Sequence, residues 1–242
     1  MSELFSIQLQ NRQQQGRDGV WLDLPTTTEQ VQAALRQIGI SSDNPQGLFI
    51  SGYFAEEEKR FAISYNMVLA SNVDELNFLA SRLETLSTWE RAELNAALQA
   101  PQSELFSIGR ITDFPENVDY YVHLPDVHGP AQLGDYYLNR SGMVNMPEEW
   151  KGGIDTAQFG RYVAQQEQGV FTEYGYLVKS GDAWQKVHEG QPVPEEYRVL
   201  SFPAPEVLRD SANIPPPVQP ETEPQKVIPI ILNGKDSVER MK

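Results

Sequence analysis

The sequence predicts an α+β fold, and two patterns lead to this expectation. The word SELFSI occurs at residues 2–7 and again at residues 103–108, and a strand-like word ending in Leu-Pro occurs at residues 21–25 and 121–125. Between the two copies the spacing of apolar residues becomes helical. We therefore predict two small related α/β units, each a strand, a loop, a strand and a packed helix, that flank a short helical middle domain.

The first α/β unit is predicted to cover residues 1–65. After its Leu-Pro word, Thr26 and Glu29 have the spacing of a capping box, the pair of side chains that closes the start of a helix. A stripe of apolar residues follows and ends before Gly39, which is typical of a helix C-terminus. The stripe consists of Val31, Ala34, Leu35 and Ile38.

The middle domain is predicted over residues 66–102. Asn72 with Glu75 and Ser87 with Glu90 have capping-box spacing, and each pair precedes an apolar pattern of helical period. This segment therefore predicts two packed helices.

The second α/β unit is predicted over residues 103–198. A helix that carries Leu133 is expected to end near Gly142, and a second helix is expected to run from Asp155 to Gly169. A strand over residues 170–178 follows, with a bulge at Gly175. The aromatic residues here are expected in the core or in dimer contacts: Tyr136, Tyr137, Phe159, Tyr162 and Tyr176.

Residues 199–242 are rich in proline and predict an extended linker or tail, because proline fixes φ and lacks a backbone donor. Its apolar stretch at residues 227–232 is expected either to pack back on the body or to begin a further domain.

Composition excludes several classes of protein. The chain has 242 residues and 40% hydrophobic content, enough for a real core. It has no cysteine, which excludes disulfides and thiolate metal sites, and its three histidines leave little for a transition metal. The N-terminus has no signal-peptide pattern, and no apolar run approaches a membrane span. We expect a cytoplasmic protein.

Motifs for catalysis are weak. The chain contains no G-x-S-x-G elbow, no phosphate-binding loop and no G-x-G-x-x-G sequence. His123, Asp126 and His128 are near neighbours that could bind a metal, but their loop reads better as a turn. We predict no catalytic residue, no cofactor and no metal, and an enzyme of unrecognised type remains an alternative.

The net charge of the chain is the sequence feature that is most informative about its binding partners. Aspartate and glutamate number 34 against 19 lysine and arginine residues, which gives a net charge of −15 and a pI near 4.6. Such a field repels nucleic acid and membranes and attracts basic grooves. The 34 carboxylates equal the phosphates of about 58 Å of duplex, and the net charge equals about 26 Å. The chain could therefore imitate DNA, or serve as an acidic adaptor that binds another basic protein without displacing DNA.

For such mimicry the carboxylates must lie on the surface at phosphate-like intervals, which helical i, i+3 neighbours provide. The candidate phosphate mimics are Glu56, Glu57, Glu58, Asp74, Glu75, Glu84, Glu90, Glu93, Asp113, Glu116, Asp119, Asp126, Glu148, Glu149, Glu167 and Glu173.

Several short sequence motifs, taken in their order along the chain, resemble those of the ArdA antirestriction proteins. They lie at residues 19–25, 72–80, 117–121, 133–137, 154–161 and 169–176. The resemblance implies an elongated, curved homodimer of three small domains, joined through its C-terminal units, whose carboxylates imitate bent B-form DNA. It implies competitive inhibition of type I restriction-modification enzymes in a bacterial host that carries a conjugative plasmid, transposon or phage. The family has no catalytic residue to transfer.

The tail departs from this pattern, because ArdA proteins usually end soon after the strand at residues 170–178. Residues 227–242 weakly resemble the opening of a second type of antirestriction domain. This resemblance implies a fragment of a larger protein.

Overall fold

The structure is a computed structural model that describes residues 3–13, 18–40, 46–57, 60–101 and 103–200. These ranges contain eight α-helices and two three-stranded antiparallel sheets, which confirms the mixed α and β composition of the prediction. They belong to one unit, Met1–Phe202. Glu58 and the tail beyond residue 200 lie outside the described residues. No helix of the described ranges is long and apolar enough to cross a bilayer.

The first sheet consists of β1 (Phe5–Asn11), β2 (Val20–Leu24) and β3 (Leu48–Phe54), in the order β2-β1-β3. Side chains alternate between its two faces, so Ile7 of β1 and its register partner Leu22 of β2 both point into the core. On the opposite face, Trp21, Asp23 and Phe54 of the two edge strands are exposed to solvent.

Helix α1 (Thr28–Gln37) follows β2 and packs its apolar stripe under the sheet. Its capping box is formed by Thr27 and Gln30, so the predicted pair Thr26 and Glu29 was wrong by one residue. The backbone N–H of Thr26 instead donates to Asn77 Oδ1 at 2.7 Å, a tertiary contact that fixes which threonine begins the helix. Gly39 ends the helix with a φ of 68°, as predicted.

The middle of the chain is helical, as predicted. It contains α2 (Tyr65–Leu69), α3 (Val73–Glu84) and α4 (Thr88–Gln99). Both predicted capping boxes are confirmed, at Asn72 with Glu75 and at Ser87 with Glu90.

The second SELFSI word does not repeat the structure of the first. The first copy leads into β1, whereas the second leads into α5 (Ile108–Thr112), whose first turn is capped by the Ser107 hydroxyl. Two 3₁₀ turns follow, at Phe114–Glu116 and Val118–Tyr120. The expectation of a strand at residues 103–108 was therefore wrong. Both copies contain the same serine, Ser6 and Ser107, so the difference comes from outside the repeated sequence, where residues 8–11 continue a strand and residues 109–112 continue a helix.

The second sheet consists of β4 (Tyr121–Leu124), β5 (Val170–Thr172) and β6 (Gly175–Lys179), in the order β4-β6-β5. The Leu-Pro word at residues 121–125 does begin with a strand, as expected. The predicted single strand over 170–178 is a hairpin, and Gly175, with a φ of 121°, stands at its turn instead of in a bulge.

Three helices accompany the second sheet. They are α6 (Pro130–Asp135), α7 (Glu148–Lys151) and α8 (Thr156–Glu167). Helix α6 continues as a π-helical turn over Tyr136–Arg140, and the Asp155 side chain caps α8 as predicted.

Buried apolar residues form one main cluster that includes Leu9 of β1, Leu79 of α3, Ile111 of α5 and Leu177 of β6. A smaller cluster of Val127, Leu133 and Tyr176 lies beside the second sheet. The main cluster spans the predicted boundaries at residues 65 and 102, and the division into domains stays a prediction.

Candidate functional site

The candidate site is the set of carboxylates that reach solvent. Seven of the sixteen predicted phosphate mimics are exposed on the described surface. They are Glu56, Glu57, Asp119, Asp126, Glu148, Glu149 and Glu173. They are distributed over loops, helix starts and turns, so the solvent-facing negative charge is not confined to one pocket.

Asp113 has a different environment. It is fully buried at the end of α5, and each carboxylate oxygen accepts a backbone N–H, from His188 to Oδ1 at 2.6 Å and from Glu189 to Oδ2 at 3.2 Å. Its charge is used inside the protein to hold a chain segment that follows the second sheet.

Glu93 is also buried, with 5% of its surface exposed, and its Oε1 has no hydrogen-bond partner among the described residues. Burial, followed by the nearby carboxylates of Asp119 and Glu90, raises the pKa of this carboxyl to about 8. At neutral pH Glu93 is mostly uncharged. The spacing of Glu90 with Glu93 therefore does not give a pair of exposed charges.

Two of the half-buried predicted acids close helices. Glu75 accepts the N–H of Asn72, and Glu90 accepts the N–H of Ser87. Hydrogen bonds from the Ser87 side chain and backbone lower the pKa of Glu90, which keeps it ionised at the positive end of α4.

The remaining half-buried predicted acids bond to other parts of the chain. Glu116 forms an ion pair with Arg82, and Glu167 accepts the hydroxyls of Tyr137 at 2.5 Å and Tyr176 at 2.9 Å. Burial, followed by this bond to Glu167, raises the pKa of the Tyr176 hydroxyl. Glu84 is half-buried on α3.

The structure exposes further acids that are not among the sixteen predicted phosphate mimics. They are Glu3, Asp18, Asp23, Glu29, Asp155, Asp182, Glu195 and Glu196. Strand alternation could have found Asp23, because the neighbouring Leu22 and Leu24 both point into the core.

Exposed basic residues on the described surface are fewer than exposed acids. They are Arg12, Arg36, Arg60, Arg140, Arg161, Lys179, Lys186 and Arg198. Several are already neutralised locally, as Arg140 is by Asp135 at 2.9 Å and Lys179 by Glu104 at 2.9 Å. The accessible surface of the described ranges is thus strongly acidic.

A sequence model of the family described as "Antirestriction protein (ArdA)" matches residues 15–178. The chain belongs to the ArdA family. Among curated proteins no match was found. The ArdA match begins before β2 and ends within β6, so it includes all eight helices of the described structure.

Beyond the ArdA match, residues 180–200 pack back on the body with little regular structure. Asp74 on α3 accepts the N–H groups of Val199 and Leu200, both at 2.8 Å, and Asn77 donates to the Tyr197 carbonyl at 2.9 Å. Burial raises the pKa of Asp74, while these two amide bonds oppose the shift. Asp74 therefore anchors the segment that follows the ArdA match.

The loop considered above as a possible metal site contains His123, Asp126 and His128, and His123 is bonded to another part of the protein. His123 is buried, its Nε2 lies 2.7 Å from the Tyr174 carbonyl oxygen, and burial lowers its pKa. Asp126 and His128 are exposed. The carbonyl oxygen can only accept, so Nε2 carries a proton, and the lowered pKa favours a neutral ring, as is usual for a histidine in the core.

One other group in the described ranges has possible metal-ligand spacing. Ligand atoms of Asp113, Glu116 and His188 lie within 4.8 Å of one another. The Asp113 oxygens already accept two amides, and Glu116 is paired with Arg82. A guanidinium beside the carboxylate supplies the positive charge that a metal would bring, so the residues do not fit a metal site.

Proposed function

We propose that this ArdA protein mimics B-form DNA and competes with DNA for type I restriction-modification enzymes. The observation that carries the proposal is the excess of exposed carboxylates over exposed basic residues across the described surface. Family membership supplies the antirestriction role, and the surface charge supplies the mechanism.

The physical basis is that a groove built for phosphates responds to charge and spacing. Its lysine and arginine side chains recognise backbone phosphates without reading sequence, so carboxylates at suitable intervals satisfy the same side chains. Glu56 with Glu57 and Glu148 with Glu149 are neighbours in the sequence, and all four residues are exposed. Affinity is then spread over many weak contacts.

The mechanism needs no catalysis and no cofactor. Inhibition follows from occupation of the groove, so the exposed acids act as charges and not as proton donors. In this proposal the protein acts in the cytoplasm of a bacterial host, where its target enzyme acts. It protects the DNA of the mobile element that encodes it from restriction.

A homodimer belongs to the same proposal. Three large apolar side chains of the α7 and α8 region stand in solvent: Met143 at 76%, Trp150 at 70% and Tyr162 at 60% exposure. Burial of such side chains against a second copy would stabilise a dimer. Dimerisation would also double the length of duplex that the acids can imitate.

The test is a titration of the protein into a type I restriction-modification enzyme that holds labelled target DNA, at several salt concentrations. Competition predicts release of DNA near stoichiometric protein, with weaker release as salt rises. Binding without release would favour the acidic adaptor, and the absence of binding at every salt concentration would exclude the proposal.

A further inference from the structure

The outer face of the first sheet carries an exposed aromatic pair. Trp21 on β2 is 49% exposed and Phe54 on β3 is 57% exposed, although both belong to regular strands. Their ring centroids lie 6.5 Å apart at an interplanar angle of 74°. The edge-to-face arrangement leaves much of both rings open to solvent.

The strand register explains how two residues on different edge strands meet. Trp21 is opposite Gln8 of the central strand, and Gln8 is opposite Gly52 of β3. A Cβ at Gly52 would lie 3.1 Å from Cη2 of Trp21. The indole therefore reaches across β1 and over the glycine towards Phe54, and any larger side chain at position 52 would press on it.

Carboxylates lie on the same face beside the rings. Asp23 is two residues after Trp21, and in the strand register Ser6 is opposite both Asp23 and Phe54. The Ser6 hydroxyl oxygen lies 2.8 Å from Asp23 Oδ1 and 3.4 Å from Glu3 Oε1. No basic side chain of the described ranges forms an ion pair with Glu3 or Asp23.

A shallow cleft lies between Glu3 and Phe54. It is lined by Glu3, Ser6, Phe54 and Glu56, among others. The cleft thus places the Phe54 ring beside the carboxylate of Glu3, which forms no ion pair with a basic side chain of the described ranges.

We propose that this face, called here the Trp21 face and defined by Trp21, Phe54, Asp23 and Glu3, is a docking site for an arginine side chain of the protein partner. The inference rests on the proposed function, because a groove built for phosphates is rich in arginine. A guanidinium stacks on aromatic rings and bonds carboxylates through its planar donors, whereas an ammonium is more strongly hydrated. The aromatic pair thus adds a contact that a pure phosphate mimic lacks.

The same sheet contains an internal example of this contact. The guanidinium carbon of Arg12 lies 5.3 Å from the centroid of the Phe49 ring, which is opposite Gln10 in the strand register. The outer face of the sheet therefore accepts an arginine over an aromatic ring where the chain itself supplies one.

The first test compares two aromatic substitutions in the DNA-displacement titration. Trp21→Ala should weaken binding about tenfold, because one partly desolvated cation–π contact is lost, and the slope of affinity against salt should stay unchanged. Phe106→Ala is the matched control, because Phe106 is 62% exposed and already has Arg110 over its ring at 5.0 Å. Equal affinity of Trp21→Ala and the wild-type protein would overturn the inference, provided circular dichroism shows both to be folded.

The second test is independent of the restriction enzyme. The indole N–H signal of Trp21, assigned by its loss in Trp21→Phe, is followed by NMR during titration with an arginine hexapeptide and with a lysine hexapeptide. The inference predicts a larger shift at lower concentration for the arginine peptide, and equal shifts would overturn it. If the arginine peptide is preferred but DNA is not displaced from the enzyme, the proposal of DNA mimicry is rejected and the arginine docking site on the Trp21 face is still supported.

Discussion

At the scale of single residues, carboxylates of the same chemistry serve different purposes in this ArdA protein. Glu57 and Glu149 stand in solvent, Glu75 and Glu90 close helices, and Asp113 bonds two amides in the interior. Because only the exposed acids can meet a partner, the DNA-mimic proposal rests on them.

Asp113 provides a test of this distinction. Asp113→Ala should lower the free energy of unfolding by about 3 kcal/mol, because the buried N–H groups of His188 and Glu189 would lose their acceptors. Urea denaturation measures the change. Glu196→Ala, at an exposed position, should change it by less than about 0.5 kcal/mol. A stable Asp113→Ala protein that fails to displace DNA would instead give Asp113 a direct role in binding.

Glu93 makes stability depend on pH. Its pKa is about 8 in the folded protein against 4.5 ordinarily, so between these values the folded state holds a proton that the unfolded state has released. The free energy of unfolding should therefore fall as pH rises through this window and level off above it. Glu93→Gln should remove this fall.

Thermal denaturation of the wild-type and Glu93→Gln proteins from pH 5 to pH 9 checks the prediction. The Tm difference should grow in favour of the variant as pH rises. Glu196→Gln should parallel the wild-type protein at every pH, since that side chain is exposed. Parallel curves for Glu93→Gln would show that Glu93 ionises at its ordinary pKa.

At the scale of elements, α6 and α8 pack backbone against backbone. A Cβ at Gly160 would overlap the Pro130 carbonyl oxygen, and one at Gly134 would overlap the Thr156 carbonyl oxygen. Both glycines are buried, so the two helix backbones touch without intervening side chains. The absence of a side chain at these positions sets the distance between the helices.

Gly160→Ala should therefore destabilise the protein although alanine favours helices. The added methyl must push α6 from α8, which we expect to lower the free energy of unfolding by about 3 kcal/mol. Gly152→Ala is the matched control, because a Cβ there meets nothing within 4 Å. Thermal unfolding that is unchanged in Gly160→Ala would mean that the helices can separate at little energetic cost.

At the scale of the whole molecule, the net charge of −15 should govern the salt dependence of binding. The triple substitution of Glu56, Glu57 and Glu58 by glutamine should weaken binding modestly and flatten the dependence of affinity on salt. Arg36→Gln should act in the opposite direction, because Arg36 is an exposed positive charge. Affinities at several salt concentrations give both slopes, and an unchanged slope in the triple variant would count against charge mimicry.

Some features could be predicted because their causes lie close together in the sequence. The caps at Asn72, Ser87 and Asp155 involve a partner three residues away, and all three were predicted correctly. The cap at Thr26 was predicted wrongly because a distant residue, Asn77, accepts the backbone N–H of Thr26. The hairpin at Gly175 and the helix after the second SELFSI sequence likewise depended on residues outside those short motifs.

The sequence by itself determined the net charge, the principal helices and membership of the ArdA family. Only the tertiary structure decided which acids reach solvent, because burial depends on partners far along the chain, as Asp74 depends on Val199 and Asp113 on His188. The same reason explains the Trp21 face. Its two rings come from strands on opposite sides of β1, and no local pattern could have brought them together.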